Sequence, residues 1–176
     1  LSFPVPGPSR LVAEVRAVNR CGTVVYRDQM VGFEQAARAP YLEPGLAFGT
    51  GFHPTTQFCL GAVEKCITGA RRVLDVGTGS GILAIGAAVL SKGIEIIALE
   101  TDPHPCKVAR ENFELNGVAD RITLHEGSTE KLLTGDKPIE PFDFVLSNLT
   151  YEDNAALLPD YMLLSHRGTN FAFAGI

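Results

Sequence analysis

From about residue 72 onward, short apolar runs alternate with longer stretches in which apolar residues recur every three to four positions. The runs predict strands at 72–76, 94–99, 121–126 and 142–147 and a last strand at 169–174. The longer stretches predict helices at 55–66, with Thr55 or Pro54 near its start, and at 80–91, 103–115 and 153–164, while 127–141 reads as a polar loop. Strands separated by helices of this length require right-handed crossovers, so the expected fold is α/β, a doubly wound and mainly parallel sheet. Ligands of such sheets bind at the carboxyl ends of the strands, beside the point where the strand order reverses. Upstream, 11–18 and 23–27 read as short strands of a small β-hairpin turning at Asn19-Arg20-Cys21-Gly22. The chain thus divides into an N-terminal extension, 1–40, and a core, 41–176, with no internal repeat or low-complexity tract.

The first strand and helix of the regular region enclose Asp75-Val76-Gly77-Thr78-Gly79-Ser80-Gly81-Ile82. Glycines let the backbone approach a ligand and take angles that a Cβ forbids, and the amides that open a helix favour electron-rich groups. A dinucleotide fingerprint would need glycine at 82, where this chain has isoleucine, and a hydride-transfer fold usually has an apolar residue in place of Asp75. A carboxylate suits a cofactor that carries a cation and no pyrophosphate. S-adenosylmethionine, with its ammonium and sulfonium, is such a cofactor, and Asp75, Gly77, Thr78, Gly79, Gly81 and Ile82 are the expected contacts. The competing readings are a nicotinamide site and a purely structural Gly-rich turn.

Composition narrows the setting. The 176 residues are 45% hydrophobic and 20% charged, ordinary for one soluble domain, and no apolar run approaches the roughly 20 residues of a membrane span. The Pro-rich start, Leu1 to Pro8, has no basic segment leading into an apolar one, so nothing signals export. Cys21, Cys59, Cys66 and Cys106 form no C-x-x-C pair, which argues for reduced cytoplasmic thiols and against a metal site. A formal charge of -5 without a Lys/Arg cluster beyond Arg71-Arg72 argues against a nucleic-acid partner and for a protein partner.

Glu100 closes the second core strand, where a carboxylate can accept from both hydroxyls of a ribose, with Thr101 beside it. Asp102 precedes Pro103 and reads as a helix N-cap. In Glu126-Gly127-Ser128-Thr129 the loop is placed to reach an adenine edge through Ser128, although Gly-Ser-Thr is also a plain turn. Pro44 to Thr56 is too apolar for a solvated loop and too Gly-rich for a helix, so it is expected to close over a ligand. His53 within it reads either as a general base or as a structural hydrogen-bonding group. Tyr151, Glu152 and Asp153 follow Ser147-Asn148-Leu149-Thr150 and either border an acceptor pocket or, for Asp153, cap the next helix.

Taken together, the glycine turn, the string Gly45-Leu46-Ala47-Phe48-Gly49-Thr50-Gly51-Phe52-His53-Pro54-Thr55-Thr56 and the Ser147–Thr150 segment resemble the bacterial methyltransferases that modify ribosomal protein L11, the PrmA family. The likeness runs from about Glu43 to Ile176. It implies a Rossmann-like methyltransferase sheet and a protein N-methyltransferase that uses S-adenosyl-L-methionine on lysine or amino groups of a ribosomal protein. It further implies that Phe48, Gly49, Thr50 and Gly51 line the cofactor and that Thr55 and Thr56 lie near the transferring methyl. Glu100 stands where the family usually has Asp on the ribose, and Asn148 matches the asparagine that holds the acceptor amine and borders the cofactor. A methyl transfer of this kind needs a neutral, oriented nitrogen more than a strong base, because near-attack positioning can supply several kcal/mol.

Two features depart from that family. Only 44 residues precede Gly45, so the recognition domain is expected to be missing or replaced. The last strand ends close to Ile176, so the final hairpin of the sheet is expected to be lacking, which leaves an edge open to pairing; the sequence is then either a fragment of a longer chain or a reduced relative that pairs with another chain. A small-molecule or RNA methyltransferase, and a non-catalytic S-adenosylmethionine-binding module, remain as alternatives.

Overall fold

The computed structural model describes residues 53–135 and 138–175. The expected hairpin of the N-terminal extension and the cofactor-lining residues Phe48, Gly49 and Thr50 lie outside the described residues. In chain order the elements are α1 (Pro54–Cys66), β1 (Arg72–Val76), α2 (Ile82–Leu90), β2 (Glu95–Glu100), α3 (Pro103–Leu115), β3 (Ile122–Glu126), α4 (Glu130–Leu133), β4 (Phe142–Asn148), α5 (Tyr151–Leu163) and β5 (Ser165–Ala174).

The five strands form one sheet in the order β3-β2-β1-β4-β5, every neighbouring pair parallel. The order reverses at β1, between β2 and β4, so the carboxyl end of β1 is the switch point. Strands with helices on both faces must be apolar on both sides, as in Val73-Leu74 and Ile96-Ile97-Ala98-Leu99. Alternate residues serve different cores. Val73, Ile96, Ala98, Phe144 and Leu146 pack with α1, α2 and α3, whereas Leu74, Val76, Leu99 and Val145 pack with Leu132 of α4 and Tyr161 of α5.

Several boundaries differ from the sequence expectation, each for a local reason. The helix expected from residue 80 begins at Ile82, because Gly81 at φ 85° turns the chain left-handed and serves as N-cap. The helix expected from 153 begins at Tyr151. Its cap is Thr150, whose hydroxyl oxygen accepts from the Asp153 amide at 3.1 Å, so Asp153 is not the cap. Asp102 does cap α3, accepting from the His104 amide at 2.8 Å. The polar loop contains α4, a single helical turn too short to leave a periodic signal. β5 begins at Ser165 rather than 169, since a register shift between Phe142 and Phe144 absorbs the polar His166–Thr169 stretch. Among the described residues nothing pairs with the outer edge of β5.

Gly81 packs directly on α3: a Cβ there would overlap the buried Phe113 ring, and its φ of +85° is unfavourable to any side chain. Left-handed strain of about 1–2 kcal/mol and overpacking of about 1–3 kcal/mol together predict that Gly81→Ala lowers the unfolding free energy by roughly 2–5 kcal/mol. Urea denaturation followed by circular dichroism measures it, and a loss below about 0.5 kcal/mol, the ordinary surface range, would contradict this packing role.

Candidate functional site

The turn between β1 and α2 is held by a buried carboxylate. Asp75, wholly inaccessible to solvent, accepts from the Thr78 hydroxyl at 2.6 Å and from the Ala84 amide at 3.2 Å, both through Oδ2. Its Oδ1 is buried without a hydrogen-bond partner. Burial raises the Asp75 carboxyl to about 6, against the lowering effect of the Thr78 and Ala84 hydrogen bonds, and the charge of Glu100 adds to the rise. A buried oxygen lacking a donor, at the switch point of a parallel sheet, fits a ligand that brings a cationic donor.

Gly77, Gly79 and Gly81 all take positive φ, at 69°, 55° and 85°. Glu100, at the end of β2, braces the turn from the side: Oε2 accepts from the Gly79 amide at 2.9 Å and Oε1 from the Asp102 amide at 3.1 Å. Each carboxylate oxygen keeps further acceptor capacity, so ribose hydroxyls can be met by the same group. Thr101 is exposed beside it.

Two residues expected to contact the cofactor are turned elsewhere. The Thr78 hydroxyl donates to Asp75, its amide donates to the Leu99 carbonyl and its own carbonyl accepts from Gly81. The Ile82 side chain is core, 3% exposed. Position on the turn is visible in the sequence, but the direction of the side chain is decided by the Asp75 brace and the α2 packing. What Ile82 can offer a ligand is the amide at a helix start. Ser128 is half-buried and its hydroxyl lies 3.4 Å from that of Thr129, which in turn donates to Asp160 at 2.5 Å.

On the acceptor side the fold joins residues far apart in sequence. Asn148 ends β4 and its Nδ2 donates to Thr56 Oγ1 of α1 at 3.0 Å. Thr56 is buried, and the bond leaves Asn148 Oδ1 as the free acceptor of that amide. Thr55 takes a different part: its hydroxyl lies 2.7 Å from His53 Nδ1. His53 is the N-cap of α1, accepting from the Thr55 amide, which favours the structural reading of this histidine over the catalytic one. Tyr151 is 72% exposed at the start of α5, and Glu152 and Asp153 are also exposed. The β1–α2 and β4–α5 turns touch, since a Cβ at Gly77 would overlap the Leu149 side chain.

Sequence reasoning missed the polar residues, one buried and one half-buried, that hold these turns. Asn112 of α3, 3% exposed, donates through Nδ2 to the Ser80 carbonyl at 2.7 Å and so pins the glycine turn from beneath. Asn154 of α5 lies among Ser147, Tyr161 and the end of β5. A signal was present in both cases: Asn112 falls on the helix face that also carries Cys106, Ala109 and Phe113, and Asn154 on the face of Tyr161. Among the described residues there is no His/Cys/Asp/Glu group fit to hold a metal, and no helix is long and apolar enough to cross a membrane.

Comparison with known proteins bears on this arrangement. The profile of the family described as "Ribosomal protein L11 methyltransferase (PrmA)" matches residues 23–176. A ribosomal protein L11 methyltransferase of Desulfitobacterium hafniense is 42% identical over 135 residues, covering 77% of this chain and 41% of that protein. The one from Syntrophotalea carbinolica is 45% identical over 129 residues, 72% of this chain and 39% of its own length. The chain therefore spans well under half of these curated relatives. Among solved structures, the ribosomal protein L11 methylase of Lactobacillus delbrueckii subsp. bulgaricus superposes with TM-score 0.66 and 33% identity, over 85% of this chain and 72% of that one. An O-methyltransferase of Bacillus cereus in complex with SAH superposes with TM-score 0.56 and 30% identity, over 66% of this chain and 54% of that one.

Proposed function

The chain belongs to the ribosomal protein L11 methyltransferase family, and from that premise we propose that it transfers methyl groups from S-adenosylmethionine to lysine or N-terminal amines of ribosomal protein L11, in the cytoplasm. The observation that carries this reading is the pairing of Asn148 with Thr56 directly beside the glycine turn, reached through the contact of Leu149 with Gly77. A donor turn and an amine-orienting amide then share one cleft end of the sheet.

Each residue has a separate task. Asp75 Oδ1, buried and without a donor, meets the ammonium of the cofactor. Glu100 accepts from the ribose while keeping the Gly79 amide in place. Bound there, S-adenosylmethionine supplies a methyl group on a sulfonium, open to in-line displacement by a nitrogen lone pair. The acceptor lysine, with an ordinary pKa of about 10.4, must first lose a proton to the surrounding water, a loss that transfer of the amine into a less polar site favours. Asn148 Oδ1 then accepts one of the remaining N–H groups and aims the lone pair. Thr56 fixes the amide orientation that makes this oxygen available. Holding both reactants at near-attack distance is the main contribution asked of the protein.

Calorimetric titration with S-adenosylmethionine and transfer of labelled methyl to ribosomal protein L11 test the reading together. Glu100→Ala removes a brace and a charged acceptor, so its dissociation constant is expected to rise about tenfold or more, in line with the roughly 1.5–3 kcal/mol of a hydrogen bond to a charged group. Absence of cofactor binding by the wild type would end the proposal. Label appearing in RNA or in small metabolites, and not in protein, would overturn the acceptor and leave the donor assignment standing.

A further inference from the structure

Between the end of β4 at Asn148 and the start of α5 at Tyr151 only Leu149 and Thr150 intervene, so the position of the Asn148 amide depends on how this short turn is held. The turn is held by a polar hub. Asn154, on the first turn of α5, donates through Nδ2 to the Ala174 carbonyl at 3.2 Å and to the Leu149 carbonyl at 3.4 Å. Its Oδ1 accepts from the Ser147 hydroxyl at 2.6 Å and from the Tyr161 hydroxyl at 3.4 Å, while Tyr161 also donates to Ser147 at 3.0 Å. Ser147 and Tyr161 are fully buried, and Tyr161 stacks on Phe173 of β5 with ring centroids 5.0 Å apart. A second observation is independent of these bonds. At Gly175, just past β5, a Cβ would overlap the Leu149 carbonyl oxygen and approach Thr150 C and Tyr151 N to 3.0 Å.

A buried polar cluster of this kind contributes little net stability compared with apolar packing, but it tolerates only one arrangement of its members. Asn154 supplies donors on one side of its amide and an acceptor on the other, so its plane is fixed by partners in β4, in the turn that follows it, in α5 and in β5. We infer that Asn154 is a positioning residue: with Ser147, Tyr161 and the close approach of Gly175, it sets the place of the Asn148–Tyr151 turn and thereby of Asn148 Oδ1 relative to the donor turn. The inference rests on the acceptor role proposed for Asn148. It assigns Asn154 no contact with either reactant.

Two variants test it by different routes. Asn154→Asp keeps the volume but places an oxygen against the Leu149 and Ala174 carbonyls, and Gly175→Ala presses the turn from outside without removing any hydrogen bond. In both, kcat for methyl transfer to ribosomal protein L11 is expected to fall on the order of 10- to 100-fold while the S-adenosylmethionine dissociation constant stays within about twofold, the signature of a reactant displaced by a fraction of an ångström. The amides that tie this turn to α5, Asp153 N–H on Thr150 Oγ1 at 3.1 Å and Asn154 N–H on the Thr150 carbonyl at 3.0 Å, are expected to lose protection in hydrogen exchange. Unchanged kcat in both variants, or cofactor affinity lost in step with kcat, overturns the inference and leaves the hub purely structural. If the wild type transfers no methyl to this acceptor, the function proposed above fails separately. Exchange protection at Asp153 and Asn154 then decides: lower in the variants supports positioning by Asn154, and unchanged overturns it.

Discussion

Asp75→Asn is expected to move stability and cofactor affinity in opposite directions. In the folded chain burial lifts the Asp75 carboxyl from 3.8 to about 6, so at neutral pH its ionisation opposes folding by about 3 kcal/mol. The sign follows from proton uptake. Between about pH 3.8 and about 6 the folded state holds more protons than the unfolded one, so this group's contribution falls as pH rises through that window and is constant above it. An asparagine does not ionise and can still accept from Thr78 and Ala84. Its amide N–H, put where Oδ1 now lies unpartnered, gives back about 1–3 kcal/mol. The variant should therefore be at least as stable as the wild type at pH 7 in urea titration and should lose the decline in stability between pH 4 and 6. S-adenosylmethionine binding should weaken about 10- to 100-fold, because a charge-assisted bond to the ammonium is worth roughly 1.5–3 kcal/mol. Wild-type affinity should also fall as pH drops below about 6, and the variant's should not. Parallel losses of stability and affinity would make Asp75 a brace of the turn and nothing more, and unchanged affinity would place the ammonium elsewhere.

Asn148→Ala is expected to have the largest effect on turnover. The substitution deletes the amide oxygen to which the proposed function assigns the acceptor amine, and with it the nitrogen that donates to Thr56. Loss of a single oriented polar group at a reacting centre typically costs about 10²–10³ in kcat. The cofactor's dissociation constant should change little, since Asp75, Glu100 and the glycines are untouched. Asn148→Asp separates orientation from charge. A carboxylate would still accept from the amine, but it would stabilise the ammonium form of lysine, so the pH dependence of the rate should shift to higher pH. Single-turnover methyl transfer with calorimetric binding of S-adenosylmethionine checks both. Retained turnover in Asn148→Ala would return this residue to an ordinary strand-end amide.

Much of the architecture was legible because its signals are local. Strands β1, β2 and β4 are continuous apolar runs bounded by turn residues, and α1 and α3 announce themselves by Pro54 and Pro103 after a capping side chain. The parallel sheet followed from the strand-helix alternation alone. Less was legible at the ends of elements. α5 starts two residues early because Thr150 captures the Asp153 amide, and nothing in the sequence ranks Thr150 above Asp153 as a cap. β5 is longer than its apolar run because Ser165 already pairs with Phe142 of β4, and a register shift takes up the polar residues between it and Asn170. Asn112 and Asn154 escaped notice because a lone polar residue on an apolar helix face becomes informative only when its partners are known.

The β1–α2 turn is dictated by the amino-acid order alone. Three glycines at alternate positions between an apolar strand and an apolar helix permit few other backbones, and Asp75 with Ile82 chose the class of cofactor that the turn suits. The likeness of Gly45–Thr56 and of Asn148 to one methyltransferase family added the chemistry. How the side chains divide the work became visible once the elements were packed together. The packing showed that Thr78 braces Asp75 instead of facing outward, that Gly81 makes room for Phe113, and that Glu100 holds the Gly79 amide. It also brought Asn148 to Thr56 across 92 residues of chain. Backbone conformation is set by neighbours in sequence and can be read there. The direction of a polar side chain is set by whichever partner the packing of distant elements brings within about 3 Å, the range of a hydrogen bond.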